Sequence, residues 1–246
     1  MTPARLPAEL YRYTVDPGSD AASAWVWRFI GDQRRVLDLG AGPGSIARSL
    51  VTDKGCRVTA VDVDAECVDV CSGFCERAAR VDLNEADWLS KIPTGPYDAV
   101  ILADVLEHLY DPWAVLDSAK TLLAPEGALI VSLPHSGHAS LISCLLKGTF
   151  RYSEWGLLDR THLRFFGMKN IEELVTGAGL SVIDAGFVMR RPEETEFADL
   201  WATLSDEEQS FLRASRFASV YQVVLKAVPS EREKETRSLE GFLERH

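Results

Sequence analysis

Two stretches of this chain place side chains that can do chemistry at meaningful spacings. The first is Leu37-Asp38-Leu39-Gly40-Ala41-Gly42-Pro43-Gly44, an apolar run entering a glycine turn, with a helix-length stretch from about Ser45. Glycines there permit a tight turn and let the backbone approach a ligand at the helix N-terminus. A dinucleotide fingerprint has its third glycine, or alanine, three places after the second, and here that place is Ser45. With Asp38 just ahead of the turn, the site suits a ligand that carries a cationic amino acid portion and no phosphate. Asp62, eighteen residues after Gly44, ends the next apolar run, where a carboxylate can accept both hydroxyl protons of a ribose. An NAD enzyme would offer the same acid. The second stretch is Asp104, Glu107 and His108 at i, i+3, i+4. With one further histidine it would make an oxygen- and imidazole-ligated divalent cation site.

The elements that must hold these residues alternate. Short apolar runs at 36–39, 58–61, 78–81, 99–102 and 128–133 are separated by helix-length stretches, as in successive βα units, and imply a parallel sheet covered on both faces. Asp64 caps a helix through Cys75, Asp111-Pro112 opens one to about Leu123, and Pro125-Glu126-Gly127 stops it. A helix over 170–178 ends at Gly179, and Ser205 with Glu208 makes a capping box for a helix to about Phe217. Val182 to Val188 and Tyr221 to Val228 are the last strands.

Three regions fall outside the alternation. Residues 1–30 read as helices covering one edge, anchored by Trp25, Trp27 and Phe29; residues 134–168 form an insertion after the fifth strand; residues 229–246 mix charges with little apolar content and read as a frayed or disordered tail. The region from 31 to 228 is then one α/β domain.

Composition narrows the classes. The chain has 246 residues, 46% apolar and 26% charged, as a soluble globular protein does. No apolar stretch approaches the roughly 18 residues of a spanning helix, and no basic-then-apolar leader opens the chain, so a cytoplasmic location is expected. The formal charge of −11 argues against nucleic acid as a partner. Five cysteines without an export signal make a disulfide framework unlikely on compartment grounds. Cys67, Cys71 and Cys75 recur every four residues, either as a metal or redox cluster or as the small apolar face of a helix.

Positions 36–44, with Asp38, Gly40, Gly42 and Gly44, resemble the glycine motif of class I S-adenosylmethionine-dependent methyltransferases. Asp62 fits their second motif, Asp82 falls where the third contacts adenine, and Tyr97 to Leu109, including Asp104, resembles the fourth. Pro125-Glu126-Gly127 resembles their Pro-Gly-Gly, with Glu126 a departure. The resemblance implies a Rossmann-like seven-stranded sheet with its last strand antiparallel and helices on both faces. It further implies S-adenosylmethionine across the strand C-termini, with Asp38, Gly40, Gly42, Gly44, Asp62, Asp82 and Asp104 as cofactor residues.

The insertion resembles a subfamily associated with glycosyltransferases of polysaccharide synthesis, through Pro134-His135-Ser136-Gly137-His138 and Gly156 to Phe166, with His135 a departure. The expected acceptor is therefore a sugar hydroxyl of a glycan, glycolipid or nucleotide sugar, with a glycosyltransferase as partner. A small-molecule O-methyltransferase for a quinone or secondary metabolite is the alternative, and a non-catalytic cofactor-binding partner of a glycosyltransferase is a third reading. A sugar hydroxyl gains from a base near pKa 7, for which histidine is suited, and His108, His135, His138 and His162 are the candidates. His162 is expected as the base, oriented by Asp159, with Arg160 or Arg164 holding an acidic group and Trp155 stacking on a ring. Asp159, Arg160 and His162 serve equally as a hydrogen-bonded clamp for the lid. His135 and His138 are placed with the substrate. A divalent metal on Asp104, Glu107 and His108 resembles the arrangement in small-RNA and ubiquinone-pathway O-methyltransferases. The helix near 206–217 is read as part of the lid or as a homodimer contact.

Overall fold

The computed structural model describes residues 12–233 and 237–244. Seven strands form one sheet: β1 (Arg35–Leu39), β2 (Arg57–Asp62), β3 (Arg77–Arg80), β4 (Tyr97–Ala103), β5 (Leu123–Pro134), β6 (Leu180–Met189) and β7 (Val220–Pro229), in the order β3-β2-β1-β4-β5-β7-β6. The strands β1 to β5 pair in parallel, and β7 is antiparallel to both β5 and β6. This is the sheet the resemblance implies. The order reverses between β1 and β4, whose C-terminal ends therefore open a crevice.

Helices α2 (Ser45–Lys54), α3 (Ala65–Ser72), α4 (Pro112–Lys120) and α6 (Met168–Gly177) are the crossovers. Their capping follows the expected residues. Asp64 accepts from the Glu66 N–H and Asp111 from the Ala114 N–H, with Pro112 in the first turn. Leu37, Leu39, Val100, Leu102, Leu129 and Val131 point to one core, and Val36, Val58, Ala99, Ile101 and Ile130 to the other, so both faces of the central strands are dry.

Three expectations about the periphery are corrected. Within the described part of residues 1–30 there is one helix, α1 (Ala22–Phe29), and it lies on the sheet face, with Val26, Phe29 and Ile30 packed among Val36, Ile101, Ile130 and Val224. Trp25 seats against Gly186, where a Cβ would come within 2.1 Å of the indole. The C-terminal segment is docked: α9 (Leu239–Leu243) buries Leu239 and Phe242 in the main core, and Arg216 pairs with Glu240 and Glu244. Residues 1–11, 234–236 and 245–246 of these two regions lie outside the described residues. Finally α3 stops at Ser72, ahead of Cys75; Cys67 and Cys71 are buried on its inner face, with the Cys71 thiol 3.5 Å from the Gly42 carbonyl. Among the described residues, the one group of three that could hold an ion contains no cysteine.

The insertion after β5 carries α5 (Ala139–Leu146) and a long loop returning to α6. It shares two small cores with α7 (Ala198–Trp201) and α8 (Asp206–Arg213). One joins Leu141, Cys144, Leu157, Leu158, Phe197 and Tyr221, and the other Ala139, Trp201, Leu204, Leu212 and Ala218. The segment between β6 and β7 thus buttresses the insertion after β5.

Candidate active site

A cavity of about 630 Å³ runs along the C-terminal ends of β1, β2 and β4. Asp38, Gly40, Ala41 and Gly42 form its floor; Asp62 and Val63 stand at the β2 end; Val81, Asp82, Leu83 and Asn84 close one end; and Asp104, His108, Leu109 and Thr161 line the other. Glycine is required in the turn. Gly40, Gly42 and Gly44 have φ of +73°, +54° and +79°, and a Cβ on Gly40 would come within 2.5 Å of the Val105 side chain.

The carboxylates are held before any ligand arrives. Asp62 accepts the Gly42 N–H and the Asp64 N–H, each at 2.8 Å, which fixes it beside the turn. Asp82 accepts from the Asn84 backbone at 2.9 Å. Asp38 is buried, and burial together with the Asp62 charge pushes its pKa up to about 7. Asp104 sits in a left-handed conformation (φ +54°), gripped by the Ser132 hydroxyl at 2.7 Å and the Gln222 amide at 3.0 Å. Desolvation raises its pKa.

Beyond Asp104, Glu107, His108 and His162 converge, one ligand atom of each lying within 4.8 Å of the others. The backbone Leu163 and Arg164 N–H groups both donate to the Glu107 carbonyl and tie the lid to this point. Both oxygens of the buried Glu107 carboxyl lack a hydrogen-bond partner, and burial first, then Asp104, raises its pKa well above the usual range. The His108 Nδ1 lies 3.2 Å from the Thr161 carbonyl and 3.1 Å from the Thr161 hydroxyl, while that hydroxyl donates to Asp159 at 2.6 Å. A carbonyl only accepts, so Nδ1 carries the proton and Nε2 keeps its lone pair. The same reasoning applies to His162, whose Nδ1 faces the Leu157 carbonyl at 3.4 Å.

Several sequence expectations change here. Asp159 orients Thr161, and through it His108, and makes no side-chain hydrogen bond to His162. His162 is buried, and burial first, then His108, lowers its pKa to about 4. A base works best with a pKa near the operating pH, which counts against His162, and of the two imidazoles His108 is the one that lines the cavity. His135 and His138, expected with the substrate, do not line the cavity. Each is almost wholly buried; His135 Nδ1 lies 3.1 Å from the Val220 carbonyl, and His138 caps α5 while its Nε2 lies 2.9 Å from the Arg190 carbonyl. Burial lowers both pKa values, that of His138 to about 4. Arg160 pairs with Glu154 at 2.6 Å, Arg164 donates to the Tyr110 carbonyl and stacks over Trp113, and Trp155 is 60% exposed away from the cavity. Asp104, engaged by Ser132 and Gln222, stands outside the converging group, which takes His162 in its place.

Sequence reading singled out neither Gln222 nor Tyr13, and gave Thr161 no role. The Asp159-x-Thr161 spacing is a local turn pattern in which the acid accepts from the residue two places on, and it was the available signal for Thr161. Gln222 had none, because its meeting with Asp104 depends on how β7 inserts beside β5.

A sheet of this order with an acidic, glycine-floored crevice at its switch point defines a class I S-adenosylmethionine-dependent methyltransferase. Residues 12–185 match a family described as a methyltransferase domain, and the chain belongs to that family. It is similar to ubiquinone biosynthesis O-methyltransferases of Xylella fastidiosa, at 34% identity over 136 residues (49% of this chain, 54% of that protein). A Xanthomonas oryzae protein of the same name is 37% identical over 135 residues (49% and 56%). The chain spans about half the length of these curated relatives. The fold is similar to a SAM-dependent methyltransferase from Archaeoglobus fulgidus (TM-score 0.59, 19% identity, 83% of this chain and 91% of that one). It is also similar to magnesium protoporphyrin IX methyltransferase of Synechocystis with bound S-adenosylhomocysteine (TM-score 0.55, 20% identity, 86% and 81%). No helix among the described residues is long and apolar enough to cross a membrane.

Proposed function

We propose that this methyltransferase acts on a hydroxyl of a small aromatic or apolar molecule, the reading that stood as the alternative to a sugar. The observation that carries it is the exposed apolar surface that leads away from the cavity's His108 end, outside the cavity lining itself. Edge-to-face rings lead outward from His108 and His162 through Phe165 and Phe150 to Tyr152, with successive centroids 4.8, 6.2, 5.4 and 5.1 Å apart. Phe150, Tyr152, Leu163 and Phe165 are all exposed there, a surface that favours a flat apolar acceptor over a hydroxyl-rich one. The cations and histidines expected to bind a glycan are engaged elsewhere. The names of the curated relatives support the same reading.

In this reading Asp38 meets the donor's ammonium, Asp62 the ribose hydroxyls and Asp82 with Asn84 the adenine end. Held there, S-adenosylmethionine would supply an electrophilic methyl group to the acceptor oxygen, its sulfonium becoming a neutral thioether as the carbon–sulfur bond breaks. His108 Nε2 takes the acceptor proton, and Thr161 and Asp159 hold the ring in the required tautomer.

A second reading adds a divalent cation at Glu107, His108 and His162. An orphaned, buried carboxyl beside two imidazoles whose Nδ1 protons face carbonyls is a donor set that fits one. A bound cation would lower the pKa of the acceptor hydroxyl.

The test is labelled methyl transfer from S-adenosylmethionine across catechols, hydroquinones, nucleotide sugars and short glycans, before and after exhaustive chelation. Transfer to the phenols is expected; transfer confined to sugars overturns the proposal. Activity unchanged after chelation, with no calorimetric binding of zinc or magnesium that Glu107→Gln removes, overturns the second reading.

A further inference from the structure

The glycine turn has no amide left for an anion. The Gly40 and Ala41 N–H groups both donate to the Val61 carbonyl, Gly42 donates to Asp62, Gly44 donates to the Ala41 carbonyl, and Pro43 has none to give. Among the described residues, no lysine or arginine lines the cavity, while Asp38, Asp62 and Asp104 face into it. S-Adenosylmethionine nevertheless carries a carboxylate beside its ammonium group. In that acidic setting the carboxylate needs hydrogen-bond donors, and an unmet one would weaken binding severely.

Side-chain hydroxyls at this end of the cavity come from Tyr13, Ser23 and Ser45, since Ser132 and Thr161 donate to Asp104 and Asp159. Tyr13 is placed to serve. Its backbone N–H donates to Ser45 Oγ at 3.1 Å, tying Tyr13 to the first residue of α2. Tyr13, about half exposed, lines the cavity together with Ser23, Asp38 and Asp104. The chain behind it is anchored by buried Val15 and by Arg28, which donates to the Pro17 and Ser19 carbonyls. Tyr13 also lines an outer cavity of about 370 Å³, with Arg12, Thr14, Pro43 and Arg48.

We propose that Tyr13 is a positioning residue for methyl transfer, its phenol O–H donating to the carboxylate of the bound donor while its ring closes the amino acid end of the cavity. The role concerns the donor alone, so it stands or falls independently of the acceptor. Calorimetry on the full chain, without acceptor, compares S-adenosylhomocysteine with its decarboxylated analogue for wild type, Tyr13→Phe and Arg12→Ala. Tyr13→Phe should weaken S-adenosylhomocysteine by about tenfold or more, the loss of one hydrogen bond to a charged group, and leave the decarboxylated analogue unchanged. An equal loss for both ligands would mean a merely structural role and overturns the proposal. Unchanged binding of S-adenosylhomocysteine by Tyr13→Phe, or the carboxylate-specific loss appearing in Arg12→Ala alone, overturns it as well. Melting curves for Tyr13→Phe matching wild type keep these outcomes readable.

Discussion

The Thr161 hydroxyl stands between two groups that both need it, 3.1 Å from His108 Nδ1 and donating to Asp159 at 2.6 Å. Because its proton goes to the acid, it receives the imidazole's and sets the tautomer of His108. Thr161→Val keeps the shape and removes the bridge. Activity should fall about ten- to a hundredfold, as losing an orienting hydrogen bond does, with donor affinity unchanged. His108→Ala should cost about a hundredfold or more. His162→Ala retaining less activity than His108→Ala would reverse the assignment of the base.

Asp38 makes donor binding depend on pH. An unfolded aspartate titrates near 3.9, whereas burial and the Asp62 charge bring Asp38 to about 7. Between those values the native protein keeps a proton the unfolded chain has lost. Asp38 therefore makes the ligand-free protein progressively less stable as pH rises through that window, and the loss levels off above it. A cationic donor restores the carboxylate and expels the proton. Donor affinity should rise between about pH 5.5 and 7.5, and calorimetry in buffers of different ionisation enthalpy should show proton release at about pH 6 that fades by about pH 8. Asp38→Asn should abolish the release and weaken binding by about thirtyfold or more. A flat affinity across this range would show that the donor's ammonium is held elsewhere.

That Asp38, the glycines and Asp62 share one cavity was legible in the sequence because the arrangement is local. Asp38 and the glycines are consecutive, Asp62 ends the next strand, and the conformations they need, such as φ +79° at Gly44, are ones a residue type announces. The acceptor half is built from contacts across long stretches of chain. Nothing near His108 in sequence reveals that Thr161 will meet it, nor does Gln222 reveal Asp104. His135 and His138 looked chemical because they are histidines in a lid, and only burial showed that they bond to backbone carbonyls and cap a helix. The tail misled for the opposite reason. Its few apolar residues, Leu239 and Phe242, are placed on one face and reach the core, a pattern that average composition hides.

Gly44 tests how closely the turn is packed from behind. A Cβ there would fall 2.5 Å from the Phe74 ring and 2.7 Å from the Cys71 thiol, on a backbone that L side chains rarely adopt. Gly44→Ala should cost about 1–3 kcal/mol from the backbone alone and lower the melting temperature by several degrees, about 2–4 °C per kcal/mol at this size. Donor affinity should fall with it, because the turn and α2 move together. A variant that melts and binds like wild type would show that Phe74 and Cys71 yield freely.

Glu196 fastens the lid to the sheet. Its Oε1 accepts the Leu157 N–H at 2.6 Å and its Oε2 accepts the Tyr221 hydroxyl at 3.0 Å, joining the loop that carries Asp159, Thr161 and His162 to β7. Gly156 lets the loop pass, since a Cβ there would meet the Glu196 carboxyl. Glu196→Ala leaves a lid amide and a buried phenol without their acceptor, each worth about 1–3 kcal/mol. Residues 156–163 should then exchange amide hydrogens faster, and the acceptor KM should rise while S-adenosylhomocysteine binds as before, because no donor-cavity carboxylate depends on this clamp. Glu196→Gln keeps one acceptor oxygen and should fall between the two. If donor affinity dropped as much as acceptor affinity, the lid would be acting on the whole crevice, and the division of the site into a donor floor and an acceptor lid would have to be abandoned.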